Sequence, residues 1–171
     1  MLYALARPLL LLAEFLRCGA WFVVLTGLTK SAGIASGLSR FVHVVWIGGN
    51  DLRDALVALF SDSSGATSTA IIGAAIHAFA DNVMTLWASG ARKFLIPNMP
   101  DLSVAPAIQG LGPTAVGATL MLTTGYNAGL AQAISQLKQL PGVSIVQLDD
   151  FTLIDSIVAT PRSFRIEDAV E

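Results

Sequence analysis

Three short apolar runs alternate with longer stretches of helical periodicity, and this alternation restricts the fold more than any other feature of the chain. The runs are closed by glycine, proline or aspartate, which is typical of short buried strands. The predicted strands are residues 42–47, 93–96 and 143–148, and the predicted helices are residues 51–60, 69–89, 113–140 and 151–159. A strand–helix order of this kind favours a parallel sheet with helices on its faces, so the sequence predicts the α/β class.

Polar residues follow each of the three predicted strands. They occupy residues 48–51, 97–101 and 149–150. In open parallel sheets, functional groups gather where the strands reach their carboxyl ends. We therefore expect these three segments to meet at one edge of the sheet.

The first of these segments lies in "VVWIGGNDLRDAL", residues 44–56. Gly48 and Gly49 allow backbone conformations that are closed to other residues and expose main-chain N–H groups. Asn50 adds a side-chain amide that can donate two hydrogen bonds, and Asp51 is predicted to cap the helix that follows. Such a cluster of donors suits a developing oxyanion in acyl transfer. The simpler interpretation, an ordinary strand-to-helix turn, stays open at this point.

The composition excludes several classes of partner. The chain is 54% hydrophobic and 13% charged, with a net charge of -2 and no basic run, so no nucleic-acid partner is predicted. The lone cysteine, Cys18, excludes an intrachain disulfide and is expected to be a small buried residue. Histidine, cysteine and carboxylate residues do not recur at ligand spacing, so neither a metal nor a cofactor is predicted.

The first forty residues form an apolar leader of uncertain structure. Neither of its two apolar runs reaches the roughly 20 residues that a membrane-spanning helix needs. Arg7 precedes an apolar stretch, as in a signal peptide, but no small-x-small cleavage site follows that stretch. The segment is compatible with an interfacial or a buried helix, and the case for membrane association is weak.

Several motifs together resemble the SGNH or GDSL lipase/esterase family. "VVWIGGNDLRDAL" is similar to its third conserved block, Gly-x-Asn-Asp. "GARKFLIPNMPDLSVAPA", residues 90–107, resembles the next strand and its loop. "YNAGLAQAISQLKQLPGVSIVQLDDFTLIDSIVATPRSFRIEDA" follows the family's order of long helix, strand and short helix. The resemblance extends from about residue 42 to the end of the chain.

The resemblance implies a three-layer, flavodoxin-like α/β sandwich with a parallel sheet, present here in incomplete form. It also implies hydrolysis of carboxylic esters, often of lipids or acylated sugars, by a serine nucleophile, a histidine base oriented by aspartate, and an oxyanion hole. By this resemblance Asn50 supplies the oxyanion-hole amide and Gly48 belongs to its turn. The family is often secreted or surface-bound, and the sequence gives no other indication of compartment.

The nucleophile block of that family has no counterpart in this chain, because Gly-Asp-Ser occurs nowhere. Thr26, Thr29 and Ser31 carry hydroxyls but do not lie in the family's pattern, and are expected to be turn or capping residues. Neither Gly33 nor Gly37 clearly matches the glycine of the second block. The nucleophile is therefore unknown.

The Asp-x-x-His block is also absent, and His43 and His77 are the chain's histidines. His43 lies in a predicted strand and His77 in a predicted helix, so both are expected to be structural and the base is unknown. We therefore expect an incomplete family member: a leader over residues 1–40 and a partial hydrolase domain over residues 41–171. The chain as written is predicted not to hydrolyse esters at a useful rate.

Three alternatives remain. A non-catalytic α/β module could bind a polar ligand or a partner through Asn50, Asn98 and Asp101. A nucleotide-binding domain is disfavoured because both glycine-rich phosphate motifs are missing. A small membrane-associated protein could be built on the first thirty residues. In the hydrolase interpretation, residues 21–25 could supply a substitute strand for the sheet.

Overall fold

The computed structural model describes residues 37–166, and three parallel strands form the centre of that part of the chain. The strands are β1 (Val42–Val44), β2 (Lys93–Pro97) and β3 (Ser144–Leu148). β2 lies in the middle and pairs in parallel with both neighbours, with Leu95 in register with Val44 on one side and with Val146 on the other. The predicted α/β class and parallel sheet are confirmed.

Helices connect the strands in the predicted order. Two helices, α1 (Gly49–Ser61) and α2 (Ala66–Ala88), lead from β1 to β2. A short α3 (Pro106–Gln109) and a long α4 (Pro113–Leu137) lead from β2 to β3, and α5 (Asp150–Ala159) follows β3. Short 3-10 turns lie at Leu38–Arg40, Leu102–Val104 and Pro161–Phe164.

The hydrophobic core lies between one face of the sheet and the helices α1, α2 and α4. Phe94, Ile96 and Ile145 supply the sheet side of this core. The main helix residues of the core recur three or four positions apart, as expected for one buried helix face, and include Leu52, Leu56, Phe79, Val83, Tyr126, Leu130 and Ile134. Within the described residues, α5 contributes no side chain to this cluster.

A polar turn joins α1 to α2. The carboxylate of Asp62 accepts hydrogen bonds from the backbone N–H groups of Ser64 and Thr67, at 3.0 and 2.9 Å. Hydrogen bonds from the Ser64 and Thr67 side chains also stabilise the charged form, and together these bonds lower the pKa of Asp62. The Ser68 hydroxyl donates to the Ala55 carbonyl at 2.7 Å and ties the start of α2 to α1. The sequence predicted a loop here.

Several element boundaries differ from the prediction for local reasons. β1 ends at Val44, although the Val45 N–H still donates to the Leu95 carbonyl at 3.0 Å before the chain turns away. The connection between the predicted strand 93–96 and the predicted helix 113–140 contains a 3-10 turn and α3, which Pro106 begins because its fixed φ suits the first position of a helix. α4 ends at Leu137 rather than near residue 140, where Pro141 disfavours helical backbone in the residue before it.

Several sequence predictions fall outside the described residues. These are the buried state of Cys18, the substitute strand at residues 21–25, the roles of Thr26, Thr29 and Ser31, and the match of Gly33.

Candidate functional site

The Gly48 turn, by which we mean residues 47–50, follows the carboxyl end of β1 and begins α1. Gly48 has a φ of 117°, and its carbonyl accepts the Leu52 N–H at 2.9 Å. The Tyr126 hydroxyl, on α4, donates to the Ile47 carbonyl at 2.7 Å. A Cβ at position 48 would overlap that hydroxyl and lie 2.8 Å from Tyr126 Cε2. Both the backbone angle and the close approach of Tyr126 therefore require glycine.

Asn50 is the second residue of α1 and is half-buried. The first-turn N–H groups of a helix have no carbonyl partner within the helix, and the aligned peptide dipoles make this end positive. Asn50 therefore belongs to the helix turn in which such backbone donors gather, just after β1. This arrangement can stabilise a negative charge.

Asp51 does not cap the helix, contrary to the prediction. The N-cap residue is Gly48, which makes no side-chain hydrogen bond, and Asp51 lies within the first turn. Burial raises the pKa of Asp51, and the nearby Asp54 adds to the rise, while a hydrogen bond from the residue's own backbone N–H opposes it. The prediction failed because the positive φ of Gly48 places the cap three residues before Asp51.

Tyr126 carries a second perturbed group beside this turn. Burial raises the pKa of its hydroxyl, and the negative charge of Asp51 raises it further. The phenol therefore stays protonated and continues to donate to the Ile47 carbonyl. The neutral hydroxyl holds the turn in place through this hydrogen bond.

The second predicted segment, residues 97–101 after β2, is hydrogen-bonded to α4, the helix that also carries Tyr126. The Asn127 side chain accepts the Met99 N–H at 2.8 Å and donates to the Met99 carbonyl at 2.8 Å. Asp101 begins the following 3-10 turn by accepting the Ser103 N–H at 2.8 Å. Adjacent residues of α4, Tyr126 and Asn127, thus position the first and second segments.

The third segment is joined to the second through Asn98. Its side-chain oxygen accepts the N–H groups of Asp150 and Phe151 at 2.7 and 2.9 Å, and its amide donates to Asp149 at 2.9 Å. The Asn98 backbone N–H also donates to the Leu148 carbonyl at 3.0 Å. The Asn98 side chain therefore makes its hydrogen bonds within the fold, which disfavours the predicted role of Asn98 as a ligand contact.

Four aspartates surround this junction. The hydrogen bond from Asn98, followed by those from Thr152, lowers the pKa of Asp149. Burial raises the pKa of Asp150, and the neighbouring carboxylate of Asp149 raises it further. Burial also raises the pKa of Asp155, with a further contribution from Asp101 and Asp149. Among residues 37–166, no group of three or more histidine, cysteine or acidic side chains is arranged to hold a metal ion.

The two histidines lie in β1 and in α2. His43 is buried in β1, with Nε2 3.0 Å from the Leu38 carbonyl and its ring 5.7 Å from that of Phe94. His77 is exposed in the middle of α2. The His43 ring is thus hydrogen-bonded to the segment before β1, and the His77 side chain is exposed to solvent.

Sequence reasoning missed Tyr126 and Asn127 as site residues. The helical period places Tyr126 on the apolar side of its predicted helix, although a buried tyrosine usually places its hydroxyl against an acceptor. This tendency is the signal in the sequence that the Tyr126 hydroxyl has a hydrogen-bond acceptor. It does not identify the acceptor, which is separated from Tyr126 by 79 residues.

One helix in the described range, α2, is long and apolar enough to cross a membrane by length and composition. A single helix of this kind is weak evidence, because core helices pass the same test. Phe79 and Val83 of α2 are fully buried in the core.

Comparison with known proteins identifies one family. A family model described as GDSL-like Lipase/Acylhydrolase matches residues 29–167. That range includes the Gly48 turn, the Asn98 junction and every described strand and helix. The comparison with curated proteins gives no match.

Proposed function

The chain belongs to the GDSL-like lipase/acylhydrolase family, and from that premise we propose that its Gly48 turn is the oxyanion-binding element of an ester hydrolase. Membership supports a hydrolase with ester substrates. Our proposal adds three points to this family membership: the role of Asn50, the acyl group of the substrate and the rate of the reaction.

One observation carries the role of Asn50. The Gly48 turn is held at the carboxyl end of β1 by the Tyr126 hydroxyl, which fixes the first turn of α1 against the core. A donor stabilises a transition state best when it is fixed before the charge develops, since no reorganisation is then needed. The second position of α1, which Asn50 occupies, belongs to this fixed turn, and this supports Asn50 as the proposed donor. Losing one such donor typically costs about 10²–10³ in rate.

We also propose that hydrolysis by the 171-residue chain is impaired. A hydroxyl nucleophile needs a base within hydrogen-bond reach to become reactive at neutral pH. His43 is packed against Phe94 and His77 lies on α2, and the sequence has two histidines in total. The Gly48 turn of such a chain would then bind the negatively charged group of a ligand, and hydrolysis would stay slow.

The proposed substrate is a carboxylic ester of a lipid or of an acylated sugar. This choice rests on the family resemblance. Association with a membrane surface stays a prediction of the apolar leader.

A paired binding and turnover experiment tests the proposal on the full chain. The probes are p-nitrophenyl butyrate as substrate and a monoanionic butylphosphonate ester as a stable mimic of the tetrahedral intermediate. We expect hydrolysis near the uncatalysed rate, and an increase in Tm with the phosphonate. Asn50→Ala should abolish that increase, whereas Asn82→Ala, a half-buried asparagine on α2, should retain it.

Each other outcome rejects a defined part of the proposal. Turnover that disappears in Asn50→Ala would reject the impairment and retain the oxyanion role. An unchanged Tm in the wild type without turnover would reject the oxyanion role. An increase that survives in Asn50→Ala would reject Asn50 as the donor.

A further inference from the structure

The side of α4 that faces away from the core carries no charge along its whole length. The 25 residues of α4 include no lysine, arginine, aspartate or glutamate, and Lys138 lies beyond its last residue. We name the residues on this side the α4 outer face, and all of them are exposed: Thr114, Gly117, Met121, Thr124, Gly125, Ala128, Gln132 and Ser135. A surface helix normally places charged side chains opposite its buried stripe. The α4 outer face is therefore unusual for a surface in contact with water.

The neighbouring helix α2 continues this uncharged surface. The two helices pack closely, because a Cβ at Gly129 of α4 would lie 3.3 Å from the Ile76 side chain of α2. Among the 23 residues of α2, Asp81 is the one charged residue, and Met84 is 42% exposed. Depletion of charge together with exposed methionine is typical of the core of a protein–protein interface. The composition of the two helices thus favours a protein partner.

Two glycines of the α4 outer face are not required by contacts among the described residues. A Cβ at Gly117 or at Gly125 would meet nothing within 4 Å, and neither glycine has a positive φ. Gly129 differs, because its Cβ would press on Ile76. Glycine within a helix is less stable than alanine, and its main structural use is to let another backbone approach closely. Gly117 and Gly125 therefore leave room for a surface that packs from outside.

The shape of the α4 outer face is complementary to itself. Met121 is 63% exposed and lies between Gly117 and Gly125, four residues from each, so the three residues follow one ridge of the helix. A two-fold contact brings the same patch of two copies together. If the two α4 helices cross near Met121, each methionine can fill the gap beside a glycine of the other copy. Because the face is uncharged, no like charges on it meet across the axis.

The size of this surface also fits a second copy of the chain. Two helices of about 23 residues form an area roughly 35 Å long and 20 Å wide. That is about 700 Å² for each copy, close to the roughly 800 Å² per partner of a typical stable interface. A lipid surface fits less well, since helices that lie on membranes are rich in lysine and arginine on their polar side. Neither α2 nor α4 contains a lysine or an arginine.

We propose that the α4 outer face, with the adjoining surface of α2, is the interface of a two-fold symmetric homodimer, with Met121 close to the axis. The proposal goes beyond the hydrolase function and is independent of the oxyanion role of Asn50.

Sedimentation equilibrium of the full chain tests this interface. We expect a mass of twice 17.9 kDa for the wild type at micromolar concentration. Met121→Lys should raise the dissociation constant of the dimer by at least about 100-fold, because it places two like charges close to the axis. Val57→Lys is the matched control, since Val57 is 61% exposed on α1, and it should leave the constant unchanged. Circular dichroism checks that both variants fold.

A thiol at the axis provides a second measurement. In a Cys18→Ser background, Met121→Cys should form a disulfide between two copies under mild oxidation, because residues close to a two-fold axis meet their own counterparts. Val57→Cys in the same background should stay largely without such a disulfide.

Each of the other outcomes overturns the proposal. A wild type that is monomeric at about 100 μM would do so, because interfaces of this size give dissociation constants from micromolar to picomolar. A dimer that Met121→Lys and Val57→Lys weaken equally, or that neither weakens, would have its interface elsewhere. A thiol at position 121 that is protected from maleimide in the monomer would assign the face to residues 1–36. Protection that appears only with vesicles of phosphatidylcholine would assign it to a membrane.

Discussion

At the scale of single residues, the two glycines of the first turn differ sharply in what they tolerate. Gly48→Ala should destabilise the protein by at least about 2 kcal/mol, because it adds backbone strain at φ 117° and a Cβ in contact with Tyr126. Gly49→Ala is the control, since a Cβ there meets nothing within 4 Å. It should be neutral or stabilising by about 0.5–1 kcal/mol, because alanine favours the helix. Urea unfolding measures both, and equal effects would contradict this account of the turn.

The raised pKa of Tyr126 predicts that the folded protein loses stability in alkaline solution. Its raised pKa means that the folded state holds the phenol proton more tightly than the unfolded state. The resulting stabilisation is complete below about pH 10, the usual pKa of tyrosine, and declines as the pH rises above that value. Tyr126→Phe should cost about 1 kcal/mol at neutral pH through the lost hydrogen bond to Ile47.

The comparison of wild type and Tyr126→Phe across this pH range is decisive. The difference in their free energies of unfolding should shrink as the pH rises above about 10, because the wild type alone loses this contribution. A constant difference would show that the Tyr126 proton does not contribute to folding.

At the scale of elements, Asn98 joins the end of β2 to the start of α5. Asn98→Ala removes two acceptor contacts at a helix N-terminus and one bond to Asp149, and should destabilise the protein by about 1–2 kcal/mol. Asn82→Ala on α2 is the control and should change the urea midpoint little. If both asparagines gave the same loss, the junction would not be a specific contact between these elements.

The same junction predicts a response to acid. Asn98 helps to lower the pKa of Asp149, so the contribution of this carboxylate is present above the usual pKa of aspartate and is lost as the pH falls through the lowered value. Asn98→Ala removes the main cause of the shift. The variant should therefore lose less stability than the wild type as the pH falls below about 4, the usual pKa of aspartate, as measured by urea unfolding at each pH. Parallel pH profiles would contradict the assignment.

At the scale of the whole molecule, one core joins the sheet to α1, α2 and α4. Phe79, with 1% exposure, lies in that core, whereas Phe60 on α1 is 70% exposed. Phe79→Ala should cost about 3–5 kcal/mol, a large part of the roughly 5–15 kcal/mol that stabilises a typical domain. Phe60→Ala should change the unfolding free energy by less than about 0.5 kcal/mol. Similar losses in the two variants would mean that Phe60 is covered in the full chain.

The α/β class, the order of the elements and the location of the Gly48 turn can all be predicted from the amino-acid sequence. These follow from hydrophobic period and from glycine, proline and asparagine, whose effects act within a few residues. The tertiary structure alone decided which groups hold that turn and its neighbours. Tyr126 and Ile47 are 79 positions apart, and Asn98 and Asp149 are 51 apart, so no local pattern records their contact. Packing of α4 on the sheet brings Tyr126 to Ile47, because a buried hydroxyl must find an acceptor wherever the fold places one. Pairing of β2 with β3 brings Asn98 to Asp149.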